Sequence, residues 1–144
     1  MYFYQYDEFK DDINHFCAQL DGYQPDIILA IARGGVTFGH FLSEKLNVRS
    51  LYTLNSVHYE DTIKLDHIKI YNIPDIDADA HVLVVDDIVD SGDTMSEVMR
   101  TLREKFPSGR FKSGVLFYKQ KATFQPDFKI REAHDWIHFF WNIN

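Results

Sequence analysis

A single cysteine, four prolines, seven glycines and no excess of basic residues set the first bounds on this chain of 144 residues. One cysteine excludes a disulfide framework. Cys17, at helical spacing from Ile13, Phe16 and Leu20, reads as a small buried residue rather than a thiolate site. Sparse proline and glycine, without repeats or low-complexity tracts, leave no interdomain linker. Residues 1–144 therefore read as one domain, able to bury about two thirds of the surface its unfolded chain exposes. No apolar stretch reaches the roughly 18 residues that a membrane helix requires. The opening MYFYQYDEFKDD also lacks the basic start and apolar run of a secretory leader, so no integral membrane segment is expected and a cytoplasmic location follows. Lys and Arg number 15 against 22 Asp and Glu, a formal charge of −7. That balance argues against a broad nucleic-acid surface, which needs a basic face, but not against small phosphorylated ligands whose charge is met locally.

Aromatic residues are plentiful, with 12 Phe, 8 Tyr and 2 Trp, enough to fill a core and to line a ligand site or a subunit interface. The spacing of Phe9, Ile13, Phe16, Cys17 and Leu20 predicts a helix capped by Asp7 and ended at Asp21-Gly22. Pro25 introduces a buried strand over Asp26–Ala32 that stops at Arg33-Gly34-Gly35. Val36–Leu46 reads as a second helix with Asn47 as terminator. Strands are expected at Arg49–Leu54, His67–Ile73 and Phe111–Tyr118, with a polar loop over Asn55–Asp66. A helix from Asp93 to about Phe106 is broken by Pro107-Ser108-Gly109. Helices alternating with buried strands imply an α/β fold, a mostly parallel central sheet flanked by helices.

Residues 82–95 read VLVVDDIVDSGDTM. Val82–Val85 suits a strand covered on both faces, which reads as a continuous aliphatic run. Asp86 and Asp87 then stand at its carboxyl end, where open α/β sheets bind ligands. The turn Asp90-Ser91-Gly92-Asp93-Thr94, followed by helix, offers backbone N–H groups, a hydroxyl and a helix N-terminus to a phosphate. Acids beside such a turn would repel a bare phosphate. They suit a ligand that also carries a diol and a divalent cation, because carboxylates accept hydrogen bonds from hydroxyls and Mg²⁺ prefers oxygen ligands. An acidic pocket of the response-regulator or phosphatase kind, or a plain capped helix, are the alternatives.

The order of apolar run, Asp-Asp, two apolar residues, Asp, Ser, Gly, any residue and Thr resembles the phosphoribosyl pyrophosphate (PRPP) signature of the type I phosphoribosyltransferases over Val82–Thr94. The resemblance implies that Asp86 and Asp87 hold the ribose hydroxyls and help to place Mg²⁺, while Asp90, Ser91, Gly92, Asp93 and Thr94 wrap the 5′-phosphate. Arg33-Gly34 directly follows a strand, and glycine permits close approach to an anion while arginine adds a forked donor. In the family this turn binds pyrophosphate, and a cis Arg33–Gly34 bond is implied in the complex.

Lys119 ends the Phe111–Tyr118 strand, and Trp136-Ile137 comes later in a tail, WIHFFW, that resembles the ending of short bacterial xanthine-guanine and hypoxanthine phosphoribosyltransferases. Phe140 stands where that ending often has proline. The resemblance implies that Lys119 donates to O6 of a 6-oxopurine, Trp136 stacks on the base and the Ile137 backbone meets the edge bearing position 2. Lys121 is the rival to Lys119. A core tryptophan is the plainer reading of Trp136. Ser56 and Tyr59 fall where the family has a mobile lid, and a small hood over about 121–144, with the N-terminal residues, is expected to cover the base above a core of about 1–120. His134 and His138, four apart, read as surface or partly buried histidines, with no metal assigned.

The implied reaction transfers the 5-phosphoribosyl group from PRPP to N9 of xanthine, guanine or hypoxanthine, with Asp90 as general base at purine N7 and Mg²⁺ at Asp86 and Asp87. The expected partners are these small molecules and further copies of the chain, as a homodimer or homotetramer. A regulator of the same fold that senses PRPP or nucleotides and binds RNA or DNA is the alternative.

Overall fold

A computed structural model of the chain describes residues 1–59 and 67–143. The elements run β1 (Tyr2–Tyr4), α1 (Tyr6–Leu20), β2 (Ile27–Ala32), α2 (Val36–Leu46), β3 (Leu51–Tyr59), β4 (His67–Tyr71), β5 (His81–Val89), α3 (Asp93–Lys105), β6 (Arg110–Tyr118), β7 (Phe128–Glu132) and β8 (Ile137–Phe139). Among the described residues six strands form one sheet in the order β4-β3-β2-β5-β6-β7, with β1 and β8 in a separate two-stranded sheet. Every pair in the large sheet is parallel except β3 with β4. This is the mostly parallel α/β sheet expected from the alternation of elements.

The aliphatic strands bury both faces. Ile28, Ala30, Leu83 and Val85 point to the side covered by Phe9, Phe16 and Ile13 of α1 and Phe38 and Leu42 of α2. Ile27, Leu29, Val82 and Val84 point to the other side, beneath Met95, Val98, Met99 and Leu102 of α3. Alternate residues of one strand thus serve two cores, and β2 and β5 are left central with their carboxyl ends side by side.

Several elements differ from expectation. Gln5 rather than Asp7 caps α1, its N–H donating to Glu8 Oε2 at 3.0 Å, because Tyr6 is already helical and Asp7 falls in the first turn. Asn55–Tyr59, expected as loop, extends β3 and pairs antiparallel with β4 in the register Ser56↔Ile70 and Tyr59↔His67. Thr53, Val57 and Tyr59 suit a half-exposed edge hairpin, so polarity there marks an edge rather than a break. Residues 60–66, the remainder of the expected lid, lie outside the described residues. Phe128–Glu132, within the expected hood, is the sixth strand of the main sheet.

The two-stranded sheet ties the chain's ends together. Tyr2 pairs with Ile137 and Tyr4 with Phe139, and the Tyr2 N–H donates to the Trp136 carbonyl at 2.8 Å. Asp12 of α1, buried to 2% exposure, locks this sheet to the body. It accepts from the Tyr4 hydroxyl at 2.5 Å and from Arg131 of β7 through both oxygens, at 2.7 and 3.2 Å. Burial pushes the Tyr4 phenol well above its ordinary range, with the Asp12 hydrogen bond adding to the effect. Among the described residues, no helix is long and apolar enough to cross a membrane.

Candidate active site

Four segments meet at the carboxyl end of the sheet. The β2–α2 turn brings Arg33 and Gly34, and β5 brings Asp86 and Asp87. The β5–α3 turn brings Asp90 to Thr94, and β6 ends beside Lys119. A side chain at position 34 would have its Cβ 2.5 Å from Asp87 Oδ2, so glycine leaves the Asp87 carboxylate its place against this turn. Arg33 is exposed and makes no ion pair among the described residues. The non-proline cis peptide lies between Ala32 and Arg33, one bond before the expected Arg33–Gly34, where β2 ends and the turn begins.

Gly92 caps α3 at φ 94°, a left-handed conformation that side chains resist. A Cβ there would also stand 2.6 Å from the Phe124 nitrogen. The Ser91 carbonyl accepts from the Thr123 N–H at 2.9 Å and its hydroxyl at 3.0 Å, so the 121–125 turn braces the phosphate-type loop from outside. No motif flags Thr123. The Asp93 N–H donates to Ser91 Oγ at 3.2 Å.

Asp86 and Asp87 are half-buried and adjacent, with the Asp87 N–H donating to Asp86 Oδ1 at 2.8 Å. Burial, reinforced by the neighbouring Asp87 charge, pushes the Asp86 carboxyl well above the usual carboxylate range; burial raises Asp87 as well. Neither forms an ion pair with a basic side chain among the described residues.

Lys119 Nζ lies 2.8 Å from Asp90 Oδ1. Lys121 is exposed and has no such pairing. Lys119 and Asp90 share with Asp87, Trp136 and Ile137 the lining of a cavity of about 300 Å³. A second cavity of about 740 Å³, lined in part by Arg33, Gly34, Asp87 and Trp136, adjoins it. Trp136 is 75% exposed and so is not a core residue; the other tryptophan, Trp141, is half-buried against the core and stacked on Phe139 with centroids 4.7 Å apart. Ser56 and Tyr59 are on the hairpin, outside both linings. His134 lies 3.8 Å from Glu132, and the His138 ring packs on Phe3. A cavity of about 780 Å³ at the opposite end of the sheet, among Asp75, Asp77, His81 and Arg110, has neither a phosphate-type loop nor an exposed indole.

The family model for the phosphoribosyl transferase domain matches residues 3–144. The chain belongs to the type I phosphoribosyltransferases. A xanthine-guanine phosphoribosyltransferase of Idiomarina loihiensis is 32% identical over 130 residues, covering 88% of this chain and 76% of the relative. The xanthine-guanine-hypoxanthine phosphoribosyltransferase of Helicobacter pylori superposes with a TM-score of 0.91 at 36% identity, over 99% of this chain and 94% of the other. A purine phosphoribosyltransferase from Pyrococcus horikoshii gives 0.85 at 26% identity, over 98% and 93%.

In this phosphoribosyltransferase the raised carboxyls have a measurable consequence. An acid whose pKa is raised on folding binds protons more tightly when folded, so stability falls as pH climbs from the unfolded value, about 3.9, through the folded one. Asp86→Asn removes one of the two charges. In metal-free buffer the variant is expected to exceed the parent in unfolding free energy by about 0.5–2 kcal/mol at pH 7, the gain vanishing near pH 4. Thermal melts across that pH range measure it.

Proposed function

We propose that the protein transfers the 5-phosphoribosyl group from PRPP to N9 of a 6-oxopurine (guanine, hypoxanthine or xanthine) in purine salvage, releasing pyrophosphate and the nucleoside 5′-monophosphate. The observation that carries this reading is the Lys119–Asp90 pair, 2.8 Å apart, in a cavity walled by the exposed Trp136 indole. A 6-oxopurine presents O6, an acceptor, beside N7, which carries a proton when N9 is free to attack. An ammonium beside a carboxylate complements that edge. The Lys119 side chain is 46% exposed and that of Asp90 67%; such exposed pairs contribute about 1 kcal/mol or less, so a base can part them at small cost. Adenine offers an amino group where Lys119 needs an acceptor.

Trp136 stacks on the base, an interaction of about 1–3 kcal/mol, and the Ile137 backbone meets the edge at position 2. Asp90 accepts the N7 proton as N9 attacks the anomeric carbon. Asp86 and Asp87 orient the ribose hydroxyls, Asp90 to Thr94 hold the 5′-phosphate at the start of α3, and Arg33 with the Gly34 amide gathers the departing pyrophosphate. Ser56 and Tyr59 contribute to closure over PRPP from the hairpin.

Asp86 and Asp87 fit a Mg²⁺ ion, being a half-buried acidic pair that no basic side chain offsets among the described residues. Those residues contain no cluster of three or more His, Cys, Asp or Glu able to hold a metal alone. The remaining ligands would thus come from substrate oxygens and water, the usual way Mg²⁺ is held. When bound, the ion neutralises charge on the diphosphate leaving group.

The enzyme is proposed to act in the cytoplasm and to form a homodimer or homotetramer, the association being supported by the exposed aromatics Phe3, Tyr6 and Phe140 near both termini.

The test is chromatographic detection of nucleotide from PRPP and Mg²⁺ with guanine, hypoxanthine, xanthine and adenine, run beside an RNA-binding assay. Product from 6-oxopurines but not adenine is expected. RNA binding without product from any base would favour the regulatory alternative and overturn this reading.

A further inference from the structure

The carboxylates lining the 300 Å³ cavity are Asp87, Asp90 and Asp135. Asp87 is bonded within the Asp86 pair and Asp90 is paired with Lys119. The Oδ1 of Asn142, also in the lining, accepts from the Phe139 N–H at 2.9 Å. Asp135 alone among these carboxylates makes no hydrogen bond or ion pair among the described residues. It also lines an adjoining cavity of about 330 Å³ with Arg131, but that guanidinium is committed to Asp12 at 2.7 and 3.2 Å and leaves Asp135 uncompensated.

Resting on the purine reading above, we propose that Asp135 is the specificity-determining residue for the substituent at position 2 of the base, selecting a 2-amino group over a 2-oxo group. With O6 and N7 on Lys119 and Asp90, and the base on Trp136, the ring's remaining polar edge turns toward the backbone of residues 135–137. A free carboxylate there accepts from the N1–H and 2-amino group of guanine, two donors on one edge matching two acceptor oxygens. Hypoxanthine keeps N1–H and loses one donor. Xanthine puts a carbonyl oxygen against the carboxylate and sheds a ring proton more readily than the other two, so it meets Asp135 with like charge or with an unmatched acceptor. Once the base covers Asp135, a ligand that leaves its carboxylate unpaired also strips it of water, and that loss is what disfavours xanthine. Among the described residues Lys119 is the sole basic side chain in this lining, and it faces position 6, so it does not offset the repulsion at position 2.

The test compares kcat/KM for guanine, hypoxanthine and xanthine in the full-length protein and in Asp135→Asn. Guanine is expected to fall roughly 10–100-fold, hypoxanthine by less, and the xanthine-to-guanine ratio to rise at least about tenfold. The PRPP KM and the melting temperature should be unchanged, since Asp135 is exposed and unbonded. An unchanged ratio among the three bases would overturn the proposal and leave the purine reading standing. No product from any 6-oxopurine with the unaltered protein would overturn that reading and this inference with it.

Discussion

Replacing Asp90 with asparagine is expected to lower kcat by about 10²–10⁴-fold, the range for loss of a general acid or base, with far less change in the KM for PRPP. Asparagine keeps the size of the side chain and can still lie along the turn that begins α3, so the 5′-phosphate loop, pinned by Thr123 and Ser91, should survive. It cannot accept the N7 proton. The same change frees Lys119 from its 2.8 Å partner, so binding of the oxopurine should hold or tighten while turnover falls, a split of kcat from KM that a folding defect would not produce. Steady-state kinetics with guanine and PRPP measure both. A variant keeping more than about a tenth of parental kcat would remove Asp90 from proton transfer.

The largest stability effect should come from Asp12, remote from the chemistry. Asp12→Ala leaves the buried Tyr4 hydroxyl and the Arg131 guanidinium without their shared acceptor. The cost should be about 3 kcal/mol, the low end for breaking a buried ion pair, because Arg131 is 36% exposed and can turn to water. For a domain of this size that is a fall on the order of 10 °C in melting temperature. The effect should also reach the base site. Tyr4 belongs to β1, whose Tyr2 N–H holds the Trp136 carbonyl, so a loosened β1 frees the wall that carries the stacking indole. A raised KM for the base, with the KM for PRPP nearly constant, is the expected signature. Asp12→Asn, which can still accept from one partner, should recover part of both losses.

The site was legible in proportion to how local its causes are. Val82–Val85 reads as a covered parallel strand because its aliphatic run has no polar face to expose, and it lies at the centre of the sheet between β2 and β6. Asp86, Asp87 and the Asp90–Thr94 turn follow in fixed covalent order, so their position at that strand's carboxyl end follows as well. Val36–Leu46 was equally plain, with Asn47 in the left-handed conformation after it. Lys119 and Trp136 were visible as residues, but only folding sets Lys119, and not Lys121, against Asp90, or leaves Trp136 exposed while Trp141 packs half-buried against the core.

Contacts between distant residues left no trace of this kind. Nothing around Asp12 marks it as the acceptor for Arg131, 119 residues away. Tyr2–Tyr4 and Ile137–Phe139 are each three residues long, too short for a strand pattern, and they become strands only because each supplies the other's hydrogen bonds. Asn55–Tyr59 misled because edge strands tolerate polar residues on their open side. Asp135 has no motif, and its standing depends on which of its neighbours are already paired.

By itself, then, the chain determined the donor half of the chemistry, since a strand, two acids and a glycine turn are joined covalently and arrive together wherever the strand is buried. The acceptor half was decided by tertiary structure. The proposed base cavity is assembled from the ends of β5 and β6 and the 135–142 segment, the last held in place by the N-terminal strand, and the charges inside it are set by pairings across that distance.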